Sequence, residues 1–273
     1  MTRRMRDAAL TVFTYLVAFT LVGPIVWMLM TAVKTEAQAF QMPPLLTWHP
    51  TLENFAYALG VAQYGRFFLN SATIGVGSTA LACLLGVPAA YSLAFYPTQR
   101  TRDVLFWILS TKMLPVVAVI VPLYVLFTRL HLLDTQGGMI LLYAMLNLPL
   151  VVWMMRSFFS EIPGEIIEAT QVDGASLVAG FLRVTLPLAV PGLVATMLLS
   201  LILAWNEFFI AVSMTYTNAA TLAVFISSFK TSEGLFWAKM SAASTLTIAP
   251  VLLAGWAAQR QLVRGLTMGA IKG

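Results

Sequence analysis

The chain has 273 residues, of which 59% are hydrophobic and 10% charged, and its formal net charge is +5 at pH 7. An ordinary soluble domain is about 45–50% apolar and about 25% charged, so a water-soluble fold of this length could not bury so much apolar surface. The composition therefore predicts an all-α, polytopic membrane protein. The basic residues are spread along the chain, which fits the positive-inside rule better than nucleic-acid binding.

Six apolar segments are long enough to cross a bilayer, and we place these transmembrane helices at about 8–33, 67–96, 104–128, 138–159, 187–213 and 241–260. Three arginines precede the first span, which predicts a cytoplasmic N-terminus, and six spans return the C-terminus to the same side. In this arrangement ten basic residues lie in cytoplasmic segments and five in outside segments. The sequence thus predicts a multi-pass protein of the cytoplasmic (inner) membrane, embedded in the lipid bilayer.

The segment from Lys34 to Arg66 is the largest outside connection ahead of the later spans. Pro43, Pro44 and Pro50 make it a stiff and irregular connector. Two roles fit it: a docking surface for an external partner, or a cover over the ends of the spans. For any single residue, the covering role is the favoured interpretation.

Two further patterns concern the packing of the spans. In the second span, small residues recur every four positions, which favours a close helix interface, with lining of the solute path as the alternative; they are Ser71, Gly75, Thr79 and Cys83. In the third span, Pro115 and Pro122 free backbone carbonyls, which a cavity or a neighbouring helix has to satisfy.

Polar residues inside three spans are candidates for a solute path. Lys112 lies within the third span, where it either faces an aqueous cavity or extends its long side chain to the membrane surface. Asn147 in the fourth span either cross-links helices or faces the solute. Trp205, Asn206 and Glu207 in the fifth span either anchor it at the interface or offer ring faces and hydrogen bonds to a polyhydroxy solute.

The stretch from Glu165 to Pro187 is polar for its position between two apolar segments. Its apolar residues recur at spacings of three and four, which predicts a short helix with one apolar face, ended by Gly174; they are Ile166, Ala169, Val172 and Ala175. Two short helices joined by a turn would form a rigid projection for a partner, or would lie on the lipid surface.

This stretch resembles the EAA loop of ABC importer permeases, which reads Glu-Ala-Ala, three residues, Gly, nine residues, a branched apolar residue, any residue and Leu-Pro. Glu168, Ala169 and Thr170 match its start, Gly174 matches its glycine, and the end matches at Val184, Leu186 and Pro187. Thr170 and Val184 depart from the usual Ala and Ile. The resemblance implies a cytoplasmic coupling loop over about 160–187, whose ATPase-coupling residues are Glu165, Glu168, Ala169, Asp173, Gly174, Leu186 and Pro187.

The predicted cytoplasmic tail, 261–273, is basic, with glycines that favour flexibility. It also resembles the C-terminal tail of carbohydrate-importing ABC permeases of the maltose type, which reaches into the ATPase dimer. The resemblance implies ATPase contacts at Gln259, Arg264, Gly265, Gly269 and Lys272. With six spans in the expected order, the whole chain is similar to a single transmembrane domain with the type I ABC importer permease fold.

A narrower resemblance concerns the solute. The segments STKMLP at 110–115 and FWAKMSAAST at 236–245 look like parts of sorbitol/mannitol permeases, which implies a sugar alcohol. Import of a disaccharide or another sugar is the alternative within the same family. An ion-coupled secondary transporter is a more remote alternative. Such a transporter would have paired intramembrane charges and internal repeats, but this sequence has few such charges and no obvious repeat.

The sequence has no motif for chemistry of its own. It has no GxxxxGK[ST] phosphate loop, no HExxH metal motif and no GxSxG elbow, and its two histidines, His49 and His131, are far apart. We therefore expect no catalytic residue, no metal and no cofactor bound by this chain. The family resemblance implies a heterodimer with a second permease, two ATPase subunits that use ATP and Mg²⁺, and an external solute-binding protein.

Overall fold

The computed structural model describes residues 3–231 and 234–268, and within them the side chains of residues 6–231 and 234–259. The helices are α1 (Arg3–Ala32), α2 (Glu36–Ala39), α3 (Glu53–Ala56), α4 (Tyr64–Phe95), α5 (Thr101–Met113), α6 (Val116–Arg129), α7 (Gln136–Phe159), α8 (Gly164–Val172), α9 (Leu177–Gly180), α10 (Leu186–Leu188), α11 (Val190–Trp205), α12 (Phe209–Met214), α13 (Leu222–Ser227) and α14 (Trp237–Met268). Single π-helical turns, Tyr57–Val61 and Phe181–Thr185, follow α3 and α9. One short antiparallel hairpin, β1 (Lys230–Thr231) and β2 (Gly234–Leu235), interrupts the helical pattern.

Among the described residues, four helices are long and apolar enough to cross a membrane by themselves: α1, α4, α7 and α14. Two bent pairs raise the number to as many as six if each pair forms one span: α5 with α6, bent by 90°, and Leu177–Leu188 with α11, bent by 77°. The first bend has a local cause. Pro115 disfavours helical backbone at Leu114, and both residues are extended, with ψ angles of 127° and 117°.

The chain forms two compact units. The first comprises the described residues of Met1–Gly65 and Phe225–Ala249. In it, the Asn54 amide donates to the carbonyls of Ala32 and Lys34, where α1 ends. The Glu36 carboxylate accepts from the backbone N–H groups of Ala238 and Lys239, in the first turn of α14. These bonds satisfy backbone groups that helix ends leave open, and they agree with the covering role predicted for this connection.

The second unit comprises Arg66–Val224 and the described residues from Pro250 onward. It contains two buried apolar clusters. One packs α4, α6, α7 and α12 around Ile74, Tyr143 and Ile210. The other packs α4, α7 and α11 around Val151, Met155 and Phe159. Burial of these side chains stabilises the unit, on which the two polar sites described below are built.

Close helix contact in the second unit depends on small residues. The predicted stripe on α4 is buried, with Ser71, Thr79 and Cys83 at most 9% exposed, so its role as an interface is confirmed. A Cβ atom added at Gly75 would lie 3.0 Å from Leu201 of α11. A second stripe, on α11 and facing α7, was not predicted; it consists of Gly192, Thr196, Ser200 and Ala204, all buried.

Asp134 joins two loops of the second unit. Its carboxylate accepts hydrogen bonds from the backbone N–H groups of four consecutive residues, 216–219, at 3.0–3.2 Å. The side chains of Arg66 and Asn70 donate to carbonyls of the same segment. Partial burial opposes ionisation, but the backbone donors outweigh it and lower the pKa of the Asp134 carboxyl. The segment is therefore fixed on the loop that precedes α7.

Candidate functional site

The stretch Glu165–Pro187 forms two short helical segments joined by a tight turn. Helix α8 ends in a glycine-dependent motif, in which Gly174 has a φ of 77° and its N–H donates to the Gln171 carbonyl. The Ala175 N–H reaches back to the Thr170 carbonyl at 3.2 Å. The Ser176 hydroxyl then caps α9 by accepting from the Ala179 N–H. The turn predicted at Gly174 is therefore confirmed.

The apolar face that spacing predicted for α8 is largely exposed within this chain. Ala169 is exposed and Val172 is 87% exposed, which leaves this face open to a partner or to the lipid surface. The helix packs on the rest of the chain through Ile167, at 8% exposure, and through Thr170, whose methyl group would lie 3.0 Å from a Cβ at Gly180.

The loop is attached firmly to the helices around it. The Phe181 ring contacts the rings of Tyr91 and Phe159, with centroids 4.8 and 6.4 Å apart. The Gln171 amide donates to the Tyr96 hydroxyl at the end of α4. A cavity of about 240 Å³ lies between α4 and the loop. These contacts fix the loop to α4 and α7, so a force on the loop would be transmitted to both helices.

The outer surface of the loop combines acidic and apolar groups. Most of the predicted coupling residues are exposed: Glu165, Glu168, Ala169, Asp173, Gly174 and Pro187; Leu186 is half-buried. Apolar side chains beside them are also exposed, by 52–87%: Val172, Leu177, Val178 and Leu182. Such a surface suits a partner that offers both apolar contacts and hydrogen-bond donors.

A second candidate site is a cavity of about 350 Å³ in the second unit. Three of the predicted path residues line it: Lys112, Asn147 and Glu207. The Lys112 ammonium donates to the Leu146 carbonyl at 2.8 Å, and the Asn147 amide donates to the Ser200 carbonyl at 3.2 Å. The cavity thus holds a cation, a carboxylate and an amide among apolar walls, which is the composition of a small-molecule site.

The other two predicted path residues do not line this cavity. Trp205 is buried, with its ring 6.0 Å from that of Phe68, and the Asn206 amide donates back to the Ile202 carbonyl. Tyr143 lines the cavity and was not predicted; its hydroxyl donates to the Glu207 carbonyl at 3.2 Å. An aromatic residue in a span usually packs against its neighbours, so the sequence carried no signal that would have singled out Tyr143.

The predicted tail is helical over part of its length. Helix α14 continues through Met268 rather than ending near residue 260, so the backbone of Arg264 and Gly265 is helical, and Gln259 is exposed on the same helix. Residues 261–268 do not form the flexible segment expected from the glycines. Gly269 and Lys272 lie outside the described residues.

Comparison with known proteins gives consistent results. The family model described as "Binding-protein-dependent transport system inner membrane component" matches residues 84–267. The sulfoquinovosyl glycerol transport system permease protein SmoH of Agrobacterium fabrum is 34% identical and covers 92% of this chain and 88% of its own. The trehalose transport system permease protein SugB of Mycobacterium tuberculosis is 32% identical and covers 95% of both chains.

A solved structure shows the fold. It is a chain of a bacterial ABC transporter involved in the import of the acidic polysaccharide alginate, 22% identical, with a TM-score of 0.79 over 95% of this chain and 98% of that one. The helices described above therefore adopt the type I ABC importer permease fold. Since the family model matches well over half of the chain, this protein belongs to the family of binding-protein-dependent transport system inner membrane components.

Proposed function

We propose that this chain is one transmembrane subunit of an ATP-driven importer that moves a neutral carbohydrate across the cytoplasmic membrane. The observation that carries the proposal is the exposed loop at Glu165–Pro187, which has the EAA pattern, a rigid glycine turn and firm attachment to α4 and α7. Its partners are a second permease in a heterodimer, two ATPase subunits and an external solute-binding protein. ATP and Mg²⁺ act in the ATPase subunits.

The coupling mechanism follows from the rigidity of the loop. Glu168 accepts charged hydrogen bonds in a groove of one ATPase subunit, and the exposed apolar residues around Val172 fill the same groove. Closure of the ATPase dimer on ATP moves the loop as a lever and switches the spans between inward-open and outward-open states. ATP drives this switch only to the extent that it binds the closed state more tightly than the open one.

The cavity lined by Lys112, Asn147 and Glu207 is the proposed solute path. Its cation and carboxylate offset each other, which suits a neutral solute whose hydroxyl groups both donate and accept hydrogen bonds. Within neutral carbohydrates we propose a sugar alcohol, on the resemblance at residues 110–115 and 236–245. The relative named for trehalose favours a disaccharide as the second candidate. Trp205 and Asn206 do not line this cavity, so contact between these residues and the solute would require another conformation of the chain.

Co-purification tests the assembly. The chain is extracted in a mild detergent, and all co-eluting chains are identified by mass spectrometry. We expect an ATPase subunit and a second permease; the binding protein is then screened against sugar alcohols and disaccharides. Glu168→Gln should weaken ATPase retention, whereas Glu161→Gln, the same change on an exposed residue outside the motif, should not.

Two results would refute the proposal. One is a chain that purifies alone and transports solute into liposomes without ATP, which would favour an ion-coupled transporter. The other is equal ATPase retention by the Glu168→Gln and wild-type proteins, together with equal coupling of ATP hydrolysis to uptake.

A further inference from the structure

The first unit contains a buried lysine that no function proposed above uses. Lys34 follows α1 and is only 2% exposed. Its ammonium lies 5.2 Å from the centre of the Trp27 ring and 4.5 Å from that of Trp48, and it donates to the Leu45 carbonyl at 2.7 Å. Cation–π contacts stabilise such a charge but do not neutralise it.

This environment has more donors than acceptors. No described carboxylate forms a salt bridge with Lys34, and both oxygens of nearby Glu36 accept backbone hydrogen bonds from α14. The indole N–H of Trp48, whose ring Lys34 contacts, is buried without a hydrogen-bond partner. A buried cation beside an unused N–H donor is costly unless an acceptor, preferably an anion, completes the site.

Lys34 also lines a cavity of about 460 Å³ within the first unit. One part of the cavity wall is apolar, with Pro24, Trp27 and Met28 along the end of α1. Another part carries hydroxyl groups, from Thr31, Ser241 and Ser244. The cavity therefore offers a polar end beside Lys34 and an apolar groove next to it, which is the arrangement that an amphiphile requires.

The groove is continuous with the exposed apolar surface of α1. In the candidate span Arg6–Ala32 of α1, none of the most apolar window is buried inside the chain. Trp27 is 45% exposed and Trp237 is 43% exposed, and tryptophan is the residue type that favours the level of the lipid headgroups. A ligand that enters from this side comes from the bilayer.

We propose that this cavity binds an anionic phospholipid. The phosphate accepts from the Lys34 ammonium, the headgroup hydroxyls contact Ser241 and Ser244, and one acyl chain lies along Pro24, Trp27 and Met28. The bound lipid neutralises a buried cation with which none of the described carboxylates forms a salt bridge. This site shares no lining residue with the coupling loop or the solute cavity, so it stands or falls independently of the importer proposal.

Native mass spectrometry of the full chain in detergent tests the proposal, with added phosphatidylglycerol, phosphatidylcholine or inorganic phosphate as probes. We expect retention of phosphatidylglycerol in preference to phosphatidylcholine. Lys34→Met should lower that retention by about fivefold, the factor expected for one lysine near an anionic lipid. Lys34→Arg should keep most of it.

Lys239 provides a matched control. Its ammonium also lies over two rings, those of Tyr57 and Phe236, but it does not line the cavity, so Lys239→Met should retain the lipid as the wild type does. Ser244→Trp fills the cavity without replacing Lys34, and it should lower retention while leaving the elution profile and thermal unfolding of the protein unchanged.

Three results would overturn the proposal. They are equal lipid retention by the Lys34→Met and wild-type proteins, equal loss in the Lys34→Met and Lys239→Met proteins, and displacement of the lipid by millimolar inorganic phosphate. The last result would assign the site to a soluble phosphate group instead of a membrane lipid.

Discussion

Gly174 is the residue on which the shape of the coupling loop depends most directly. Its φ of 77° lies in the left-handed region, and no atom outside its immediate neighbours would approach an added Cβ within 4 Å. Replacement by alanine therefore costs backbone strain of about 1 kcal/mol without a steric clash. We expect Gly174→Ala to insert and assemble normally but to lower solute uptake several-fold per ATP hydrolysed, measured in proteoliposomes with the partner subunits.

Gly164 offers a control for this change within the same loop. An added Cβ would also meet open space there, but the backbone of Gly164 is not in the left-handed region. Gly164→Ala should therefore transport close to the wild-type rate. If the two alanine variants transport the same amount of solute per ATP hydrolysed, coupling does not depend on the left-handed backbone of the turn.

Asp134 is a second residue whose role is set by a few contacts. Because the folded-state pKa of its carboxyl is lowered, its contribution to stability is present above the unfolded-state pKa of about 3.9 and is lost as pH falls through the folded-state value. Asp134→Asn removes the ionised acceptor and should cost about 2 kcal/mol at neutral pH. Thermal unfolding in detergent between about pH 3 and pH 7 measures both effects.

The wild-type protein should lose stability on acidification, and Asp134→Asn should show a smaller loss. Asp103→Asn makes the same change at an exposed position in the first turn of α5 and should behave like the wild type. Equal acid sensitivity in all three proteins would show that the backbone hydrogen bonds to Asp134 do not contribute to stability.

The pairing of α7 with α11 depends on the small residues of α11. A Cβ atom at Gly192 would lie 2.3 Å from the ring of Phe158, which is too close without movement of the helices. Gly192→Ala should therefore destabilise the second unit by about 1–3 kcal/mol, as overpacking of a core does, measured by thermal unfolding. Gly255→Ala on α14 has open space and serves as the control.

Removal of the opposing Phe158 ring by mutation tests this steric explanation. Phe158→Ala combined with Gly192→Ala should be less destabilised than the sum of the two single changes, because the clash is then absent. Purely additive effects would mean that Gly192 matters for some reason other than contact with Phe158.

Element types were predictable from composition and spacing, whereas the positions of breaks were not. The apolar runs located all four long helices, and the second and fourth predicted segments overlap α4 and α7 closely, whereas α14 begins before the sixth segment and continues past its end. Proline alone did not indicate where helices bend. Pro115 coincides with a 90° bend, yet Pro122 and Pro149 lie inside α6 and α7. Packing around each proline decides whether the helix breaks, and packing depends on residues distant in sequence.

In the candidate sites, too, local features were predictable from the sequence and features that depend on the fold were not. The turn at Gly174 is local, so a motif could locate it. The cavity is lined by Lys112 of α5, Asn147 of α7 and Glu207 of the link between α11 and α12, and only the fold brings these residues together. Asn206, at the C-terminal cap of α11, lies next to Glu207 in sequence but donates back to the Ile202 carbonyl. Neighbouring residues point in different directions, so a polar cluster in sequence does not predict a polar cluster in space.

Helix α7 separates the two polar ends of the second unit. It has 24 residues and is therefore about 36 Å long, enough to cross a hydrocarbon core of about 30 Å. Asp134 precedes this helix and fixes residues 216–219 at its N-terminal end, and the loop at Glu165–Pro187 follows it. The two loops therefore lie on opposite sides of the membrane in either orientation, and the distribution of basic residues predicts that the second is cytoplasmic.

Thiol labelling tests this orientation in cells. Thr217→Cys introduces an exposed thiol beside Asp134, and Val172→Cys introduces one in the coupling loop, where Val172 is 87% exposed. With the chain expressed without its ATPase subunits, which would cover Val172, an impermeant maleimide should label Thr217→Cys in intact spheroplasts and Val172→Cys only after permeabilisation. The native Cys83 is buried between helices and provides the unlabelled background. The reverse labelling pattern would place the coupling loop outside, where no ATPase could reach it, and both the predicted orientation and the proposed function would fail together.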